Sequence, residues 1–525
     1  MKYLYCFILL QFFTVGIYAQ EKEQNPVRIK ANQAEGAIID GMKADILRGQ
    51  VEILYEHVIL HCDSAYNFKQ ENKVKAFGHV DIRQGDSIHI MGDSLYYSPD
   101  DDLALLQGHV TLQREEMTLR TPFLTYYPDK KWGFYTNGGI LEQADVRLQS
   151  VFGYYQESGH LARFKDRIFI EGSDFFLWAD TLDYDLGKNR VHFYGPTVIE
   201  NKESRIYCER GYYDLKEKNG KFYQSARMLD RGRRIKADTL TYHQKDGKGN
   251  AIGQVYFHDT AEGITLFSGR AEYNNSRNRV LASSNPIILI HIDKDTLYVR
   301  ADTLLSEGDS NGRELFAFPN VRMLRDNFSA ISSEMRYSGR DSLLRLTGNP
   351  VAWIDSFQLS GDSIVLAFRQ NKPYRLRVSP HALLASRESQ GIYNQTTGRS
   401  MEGYFKQDTL RSMHFTGNAE TIYFAKDDSG RFIGINRLTC STIHLRFAKG
   451  ALQYIRFLNL PDGRFIPIQK ANISEMILEG FEWKGAEKVT FETDFNIRPV
   501  PFEDIKRPLW SREAEDPLPI ISPQN

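Results

Sequence analysis

The sequence predicts an all-β protein, elongated and repetitive, of stacked antiparallel strands in units of about 29 residues. Three observations carry this. A short acidic phrase recurs at a nearly fixed interval. A glycine phrase alternates with it. Between the two, apolar residues repeat with a period of two, the spacing of a half-buried strand.

The acidic phrase is clearest at Cys62-Asp63-Ser64-Ala65-Tyr66, Gly92-Asp93-Ser94-Leu95-Tyr96-Tyr97, Ala179-Asp180-Thr181-Leu182-Asp183-Tyr184, Ala237-Asp238-Thr239-Leu240-Thr241-Tyr242, Ala301-Asp302-Thr303-Leu304 and Gly361-Asp362-Ser363-Ile364. Weaker copies stand at Thr121-Pro122, Cys208-Glu209 and Ser332-Ser333. Successive copies lie 29 or 30 residues apart, or about twice that where one is missing, with slight stretching between 238 and 333. A fixed period means one supersecondary unit stacked on itself.

The glycine phrase reads Leu47-Arg48-Gly49-Gln50-Val51, Ala76-Phe77-Gly78-His79-Val80, Leu106-Gln107-Gly108-His109-Val110 and Ile252-Gly253-Gln254-Val255. Around one copy Val74, Ala76, Gly78, Val80 and Ile82 share a face, while Lys73, Lys75, His79 and Asp81 point away. Turn-forming runs such as Gln70-Glu71-Asn72, Ser98-Pro99-Asp100-Asp101 and Asp185-Leu186-Gly187-Lys188-Asn189 separate the strands. Each unit is therefore two strands and two turns. Across the Asp the apolar parity flips: Leu60 and Val58 lie three and five positions before Asp63, whereas Leu95 and Tyr97 lie two and four positions after Asp93. A regular strand would send the two halves to opposite faces. The expectation is a bulge or bend at Asp-Ser/Thr that returns both halves to one face. Helix is expected only in the leader and in short turns near Ser474 to Leu478.

The ends and composition set limits. Lys2, the apolar run Tyr3 to Phe13 and Ile17-Tyr18-Ala19 before Gln20 read as a signal peptide (residues 1–19) cleaved after Ala19. No later segment approaches 18 apolar residues. Net charge is −1, with Lys and Arg evenly spread, which gives no electrostatic footprint for nucleic acid. Cys62 and Cys208 occupy one repeat slot and read as small buried residues rather than a disulfide pair. Cys440 stands alone.

No catalytic constellation is legible. A recurrent Asp argues against an active site, which needs one cluster; Asp and Ser/Thr bonding local backbone at the bend explains it. His79 and His109 repeat in register, as residues of a solvated strand face do. There is no Gly-x-Ser-x-Gly, His-Glu-x-x-His or phosphate loop. The reading is of a protein that is not an enzyme, with no cofactor and no metal site.

Leader, period and both phrases together resemble the OstA-like (organic solvent tolerance) family, the β-jellyroll proteins of lipopolysaccharide transport. Characteristic stretches are Ile235-Lys236-Ala237-Asp238-Thr239-Leu240-Thr241-Tyr242 and Leu105-Leu106-Gln107-Gly108-His109-Val110-Thr111-Leu112. The resemblance implies a periplasmic protein of outer-membrane biogenesis that shelters acyl chains in an apolar trough. It also implies end-to-end pairing of edge strands with an inner-membrane transporter's periplasmic domain, an outer-membrane translocon or another copy. The expected trough lining is Val51, Ile53, Val58, Leu60, Val80, Ile82, Ile88, Ile90, Val110, Leu112, Val255 and Phe257. The expected docking edge is Ile46 to Leu54, unless Pro26 to Ile39 fold back over it. The resemblance makes the fold an open β-jellyroll; its repeated part is placed at 27–370, a divergent C-terminal β region at 380–500 and a Pro-rich tail, extended or disordered, at 501–525. The alternatives are a carbohydrate-active parallel β-helix enzyme and a structural envelope or adhesion protein.

Overall fold

The computed structural model describes residues 27–511, apart from 56, 86–87, 157–159, 293–294, 310–311, 327, 407–408, 449–450 and 498–500. The expected signal peptide lies outside the described residues, as does the tail beyond 511. The chain divides into two compact units, one holding residues up to Ala144 and one spanning Asp145–Leu518.

Both units are built the same way. Antiparallel hairpins follow one another, and each long strand is bent at its middle. One half of the strand joins a front sheet and the other half a back sheet. In the first unit Met42–Tyr55, Val58–Phe68, Lys73–Gln84, Ile88–Ser98, Leu103–Arg114 and Met117–Tyr127 pair in order. Every one of these pairings carries a register shift at the same level, for instance between Phe77 and Val80 opposite Ser94 and Gly92. The fold is all-β and jellyroll-like. Helix among the described residues is limited to single turns, among them Ile473–Glu475 and Phe491–Asp494.

The bend lies mainly on the glycine phrase and only secondarily on the acidic one. Gly78 and His79 both have left-handed backbone, φ 73° and 45°, and supply the extra residue of the bulge. Gly49-Gln50, Gly108-His109 and Gly253-Gln254 repeat this pair. The acidic phrase crosses the corner beside it. Cys62 and Ala65 are both buried while Asp63 between them points out, so the parity flip is real. Asp63 accepts a hydrogen bond from His79 Nδ1 at 2.7 Å, and Asp93 one from His109 Nδ1 at 2.9 Å. A backbone bond recurs with them: Asn32, Glu209, Asp302 and Asp362 donate their N–H to the carbonyls of Gly49, Gln224, Pro319 and Pro380. The recurrent Asp thus closes a corner by local bonding.

In the second unit the same corners continue at Asp166-Arg167, Gln224-Ser225, Ser284-Asn285, Gly348-Asn349, Gly417-Asn418 and Asn459-Leu460. The paired ladder runs on through Thr409–Lys426 and Phe432–Ala448 to Asp462–Pro467, beyond the point where the sequence only echoes the unit. The segment after 467 then turns back along the outer face of the front sheet. Leu478 packs with Ile422, Phe424 and Ile435. Gln358 Nε2 donates to the carbonyl of Glu482. Phe495 packs on Tyr298, and Phe502 on Tyr256. Ile505 is buried with Phe169, Trp178 and Val198. Residues 501–511, expected as extended tail, are the end of this strap.

Candidate functional site

The twelve expected lining residues all fall on inner faces. Nine are buried, whereas Val58, Ile82 and Ile88 are half-buried. In the first unit they form one aliphatic row across the front sheet. Ile53 pairs with Leu60, Leu60 with Ile82, Ile82 with Ile90, Ile90 with Leu112 and Leu112 with Leu119. The half-buried members lie at the strand ends away from the corner, so the row is accessible along one lip.

Another opening lies between the two sheets of the second unit. It is a cavity of about 1240 Å3. The front sheet contributes Ile264, Ile288, Ile290, Leu297, Met323 and Ile354, and the back sheet Leu315, Met335, Tyr337, Leu344, Leu366 and Leu410. Strand alternation puts these side chains inward, for Ile264 pairs with Ile290 and Ile290 with Leu297. The cavity crosses five strand steps of the front sheet, from the strand of Ile264 to that of Ile354, or about 24 Å at ~4.8 Å per step. Polar residues stand along its rim: Glu262, Asp295, Asp326 and Asp355 against Arg313, Arg325 and Lys372. Arg325 Nε donates to Asp295 at 2.7 Å. Burial pushes the Tyr337 phenol above its ordinary value. The rim carries both signs, so it does not act as an anion funnel. The apolar part of the lining could remove alkyl surface from water.

Of the expected lining, Val255 and Phe257 lie in this unit but not at this cavity. The residues that do line it were legible as strand but not as site; Leu297 and Leu366 flank acidic stations like their counterparts upstream. The cysteines at 62, 208 and 440 are free and buried. Burial raises the Cys62 thiol to about 11 and pushes Cys208 higher still. Among the described residues no group of His, Cys, Asp and Glu could hold a metal ion.

The expected docking edge is corrected. Arg28–Lys30 pairs with Glu52–Leu54, and Gln33–Ile39 pairs with Met42–Arg48. Ile46 to Leu54 is therefore covered on both sides, and the outermost described strands are Arg28–Lys30 and Gln33–Ile39. At the far end of the second unit Ala451–Leu458 and Asp462–Pro467 each pair on one side only among the described residues. Tyr454, Phe465 and Leu460 are exposed there, Leu460 at 91%.

Residues 27–180 match the family model described as OstA-like protein. This part of the chain is OstA-like. The match ends at the acidic phrase of Asp180, so it spans the corners at Gly49, Gly78 and Gly108 and stops short of the one at Gly253 and of the cavity. No curated protein matches the chain. Among solved structures, the chain is similar to LptH, the LptA-homologous periplasmic component of the lipopolysaccharide transport device from Pseudomonas aeruginosa. Identity is 13%, with 22% of this chain and 82% of that chain covered, and the TM-score is 0.20. The OstA-like part and the cavity-bearing part share one building unit, the hairpin bent at a left-handed pair.

Proposed function

We propose that the protein acts in outer-membrane biogenesis as a periplasmic carrier of lipopolysaccharide or a related glycolipid, sheltering its acyl chains between the sheets. The observation that carries this is the open, aliphatic cavity at 262–410 in a chain whose N-terminal part is OstA-like. Each methylene taken out of water is worth ~0.8 kcal/mol, so about ten of them give roughly 8 kcal/mol, a micromolar affinity. The rim of mixed charge leaves binding to the chains rather than to the head group. The half-buried Val58, Ile82 and Ile88 offer a second, smaller contact in the first unit. End-to-end docking to a transporter's periplasmic domain, an outer-membrane translocon or another copy would use the strand edges at 33–39 and 451–467, whose backbone groups face outward.

Native mass spectrometry of the protein extracted from its own envelope tests this. Lipopolysaccharide or lipid A should accompany the native chain and be depleted in Ile290→Trp, whose indole projects into the cavity. A chain that emerges bare under conditions that preserve noncovalent lipid would favour an adhesion or scaffolding role.

A further inference from the structure

The interior of the second unit changes character along its length. From about 160 to 278 the two sheets are sealed together. Phe164, Tyr184, Phe193 and Phe222 are at most 2% exposed. The Phe175 ring of the front sheet meets Tyr213 of the back sheet edge-on at 5.8 Å. Tyr273 reaches across to Met228, its hydroxyl 3.7 Å from Sδ.

The lips opposite the corners are also tied. Lys218 of the back sheet pairs with Asp174 of the front. Asn275 Nδ2 donates to Asp230 at 2.6 Å, and Arg233 donates to the side-chain oxygens of Asn275 and Asn278, each at 3.0 Å. The burial cost of Asp230, whose carboxyl is pushed up by desolvation, is offset by this bond. Glu262 and Arg313 continue the series at 3.8 Å. Beyond them the cavity opens. At its other end Phe357 of the front sheet meets Phe447 of the back sheet at 5.1 Å, and Met401, Met413 and Phe415 are fully buried.

We infer that the cavity at 262–410 is a discrete, laterally loaded acyl-chain pocket, walled off along the sheet axis by aromatic-filled sections on both sides. This rests on the lipid reading above and adds to it a direction of entry. An alkyl chain reaches the site sideways, between the lips near Asp326 and Asp355 on one side and Lys372 on the other. It does not slide in along the interior past Tyr184 and Phe222. Within this unit the protein therefore holds lipid at one place and does not conduct it lengthwise. The physical ground is steric. Rings with essentially no exposed surface leave no alkyl-wide passage, and opening one would require breaking the Asp174–Lys218 and Asp230–Asn275 ties together with the packing beneath them.

The test uses the full native chain and a myristic acid analogue carrying a terminal diazirine, photolysed and mapped by peptide mass spectrometry with and without excess unlabelled myristate. Displaceable label should concentrate in peptides of 264–410, about tenfold over those of 160–250 and 413–447, the ratio of a ~1.4 kcal/mol preference. Displaceable label of similar density in the 160–250 peptides would overturn the partition and leave the lipid reading standing. Absence of displaceable label anywhere in 145–511 would remove the lipid reading itself.

Discussion

Replacing Gly78 by Ala probes the corner that repeats throughout the fold. Two costs add. Gly78 has φ 73°, a conformation that Ala adopts at about 1 kcal/mol more than Gly. The new Cβ would also lie 2.3 Å from Asp63 Oδ2 and 3.0 Å from Asp63 Cβ. The carboxylate can swing away, giving up His79, but the Asp63 Cβ belongs to a strand paired on both sides and has little room to follow. Together these give roughly 2–3 kcal/mol. Gly41 is the control, since its φ is 80° and nothing lies within 4 Å of its would-be Cβ. Gly41→Ala should cost about 1 kcal/mol, the backbone part alone. Equilibrium urea denaturation of the full chain, followed by circular dichroism, reads the two midpoints. Adding Asp63→Ala to Gly78→Ala should recover part of this, up to about 1 kcal/mol, because it removes the carboxylate overlap at 2.3 Å and leaves only the 3.0 Å contact with Cβ. Equal midpoints for the two single variants, with no recovery in the double, would refute the idea that the Asp packs over the glycine.

Three further outcomes are expected. Ile505→Asp should release the strap, making the Lys506–Arg507 bond open to trypsin at least tenfold faster, because Ile505 is 5% exposed and a buried unpaired carboxylate costs several kcal/mol; unchanged cleavage would mean that the strap does not depend on this cluster. Burial holds the imidazoles of His192, His258 and His414 below their ordinary value, with His444 stacked on His414 at 4.0 Å adding to the effect there. At these three groups the folded state binds fewer protons than the unfolded one, so the stability they contribute is complete above about pH 6.5 and falls as pH drops below it, whereas His79, held up by Asp63, contributes with the opposite sign; thermal melts of the His79→Gln chain that rise on acidification from 7 to 5.5 would contradict the sign. Iodoacetamide should leave Cys62 and Cys208 unmodified in the native protein and alkylate both in urea, since only the thiolate reacts and burial suppresses it; native alkylation of Cys208 at the rate of a free thiol would show that the corner opens.

The repeat was legible because glycine marks it. At Gly49, Gly78, Gly108 and Gly253 the left-handed residue is the one type that takes it at no steric cost. At Asp166-Arg167 and Gln224-Ser225 the same conformation is imposed on ordinary residues by strands paired on both sides, and no local signal announces it. The inner faces were legible by alternation. Which stretch of inner face stays open was not, because that depends on the size of what stands opposite. Phe164 and Tyr184 fill the gap where Leu344 and Leu366 do not. The ties that seal the lips join residues such as Asp174 and Lys218 from different units of the repeat. The strap has no periodicity of its own, and its partners are as distant as Glu200 from Arg507.

The size of the cavity constrains what it can be. A dry void costs about 24 cal/mol per Å3, so 1240 Å3 left empty would cost roughly 30 kcal/mol, more than the ~5–15 kcal/mol by which a domain is usually stable. The fold cannot carry that cost, so the space is filled from outside. Water can enter, since the rim is polar, but it finds few partners among Ile264, Ile288, Ile290, Leu315 and Met335. Exchanging that water for an alkyl chain gains about 25 cal/mol per Å2 of lining covered. The neighbouring section answers the same problem with its own side chains, closing Tyr213 on Phe175 and Tyr273 on Met228. One interior thus meets one physical demand in two ways. Where the chain supplies rings the sheets seal; where it supplies leucine and isoleucine volume remains, which is the space that the proposed acyl chain would fill.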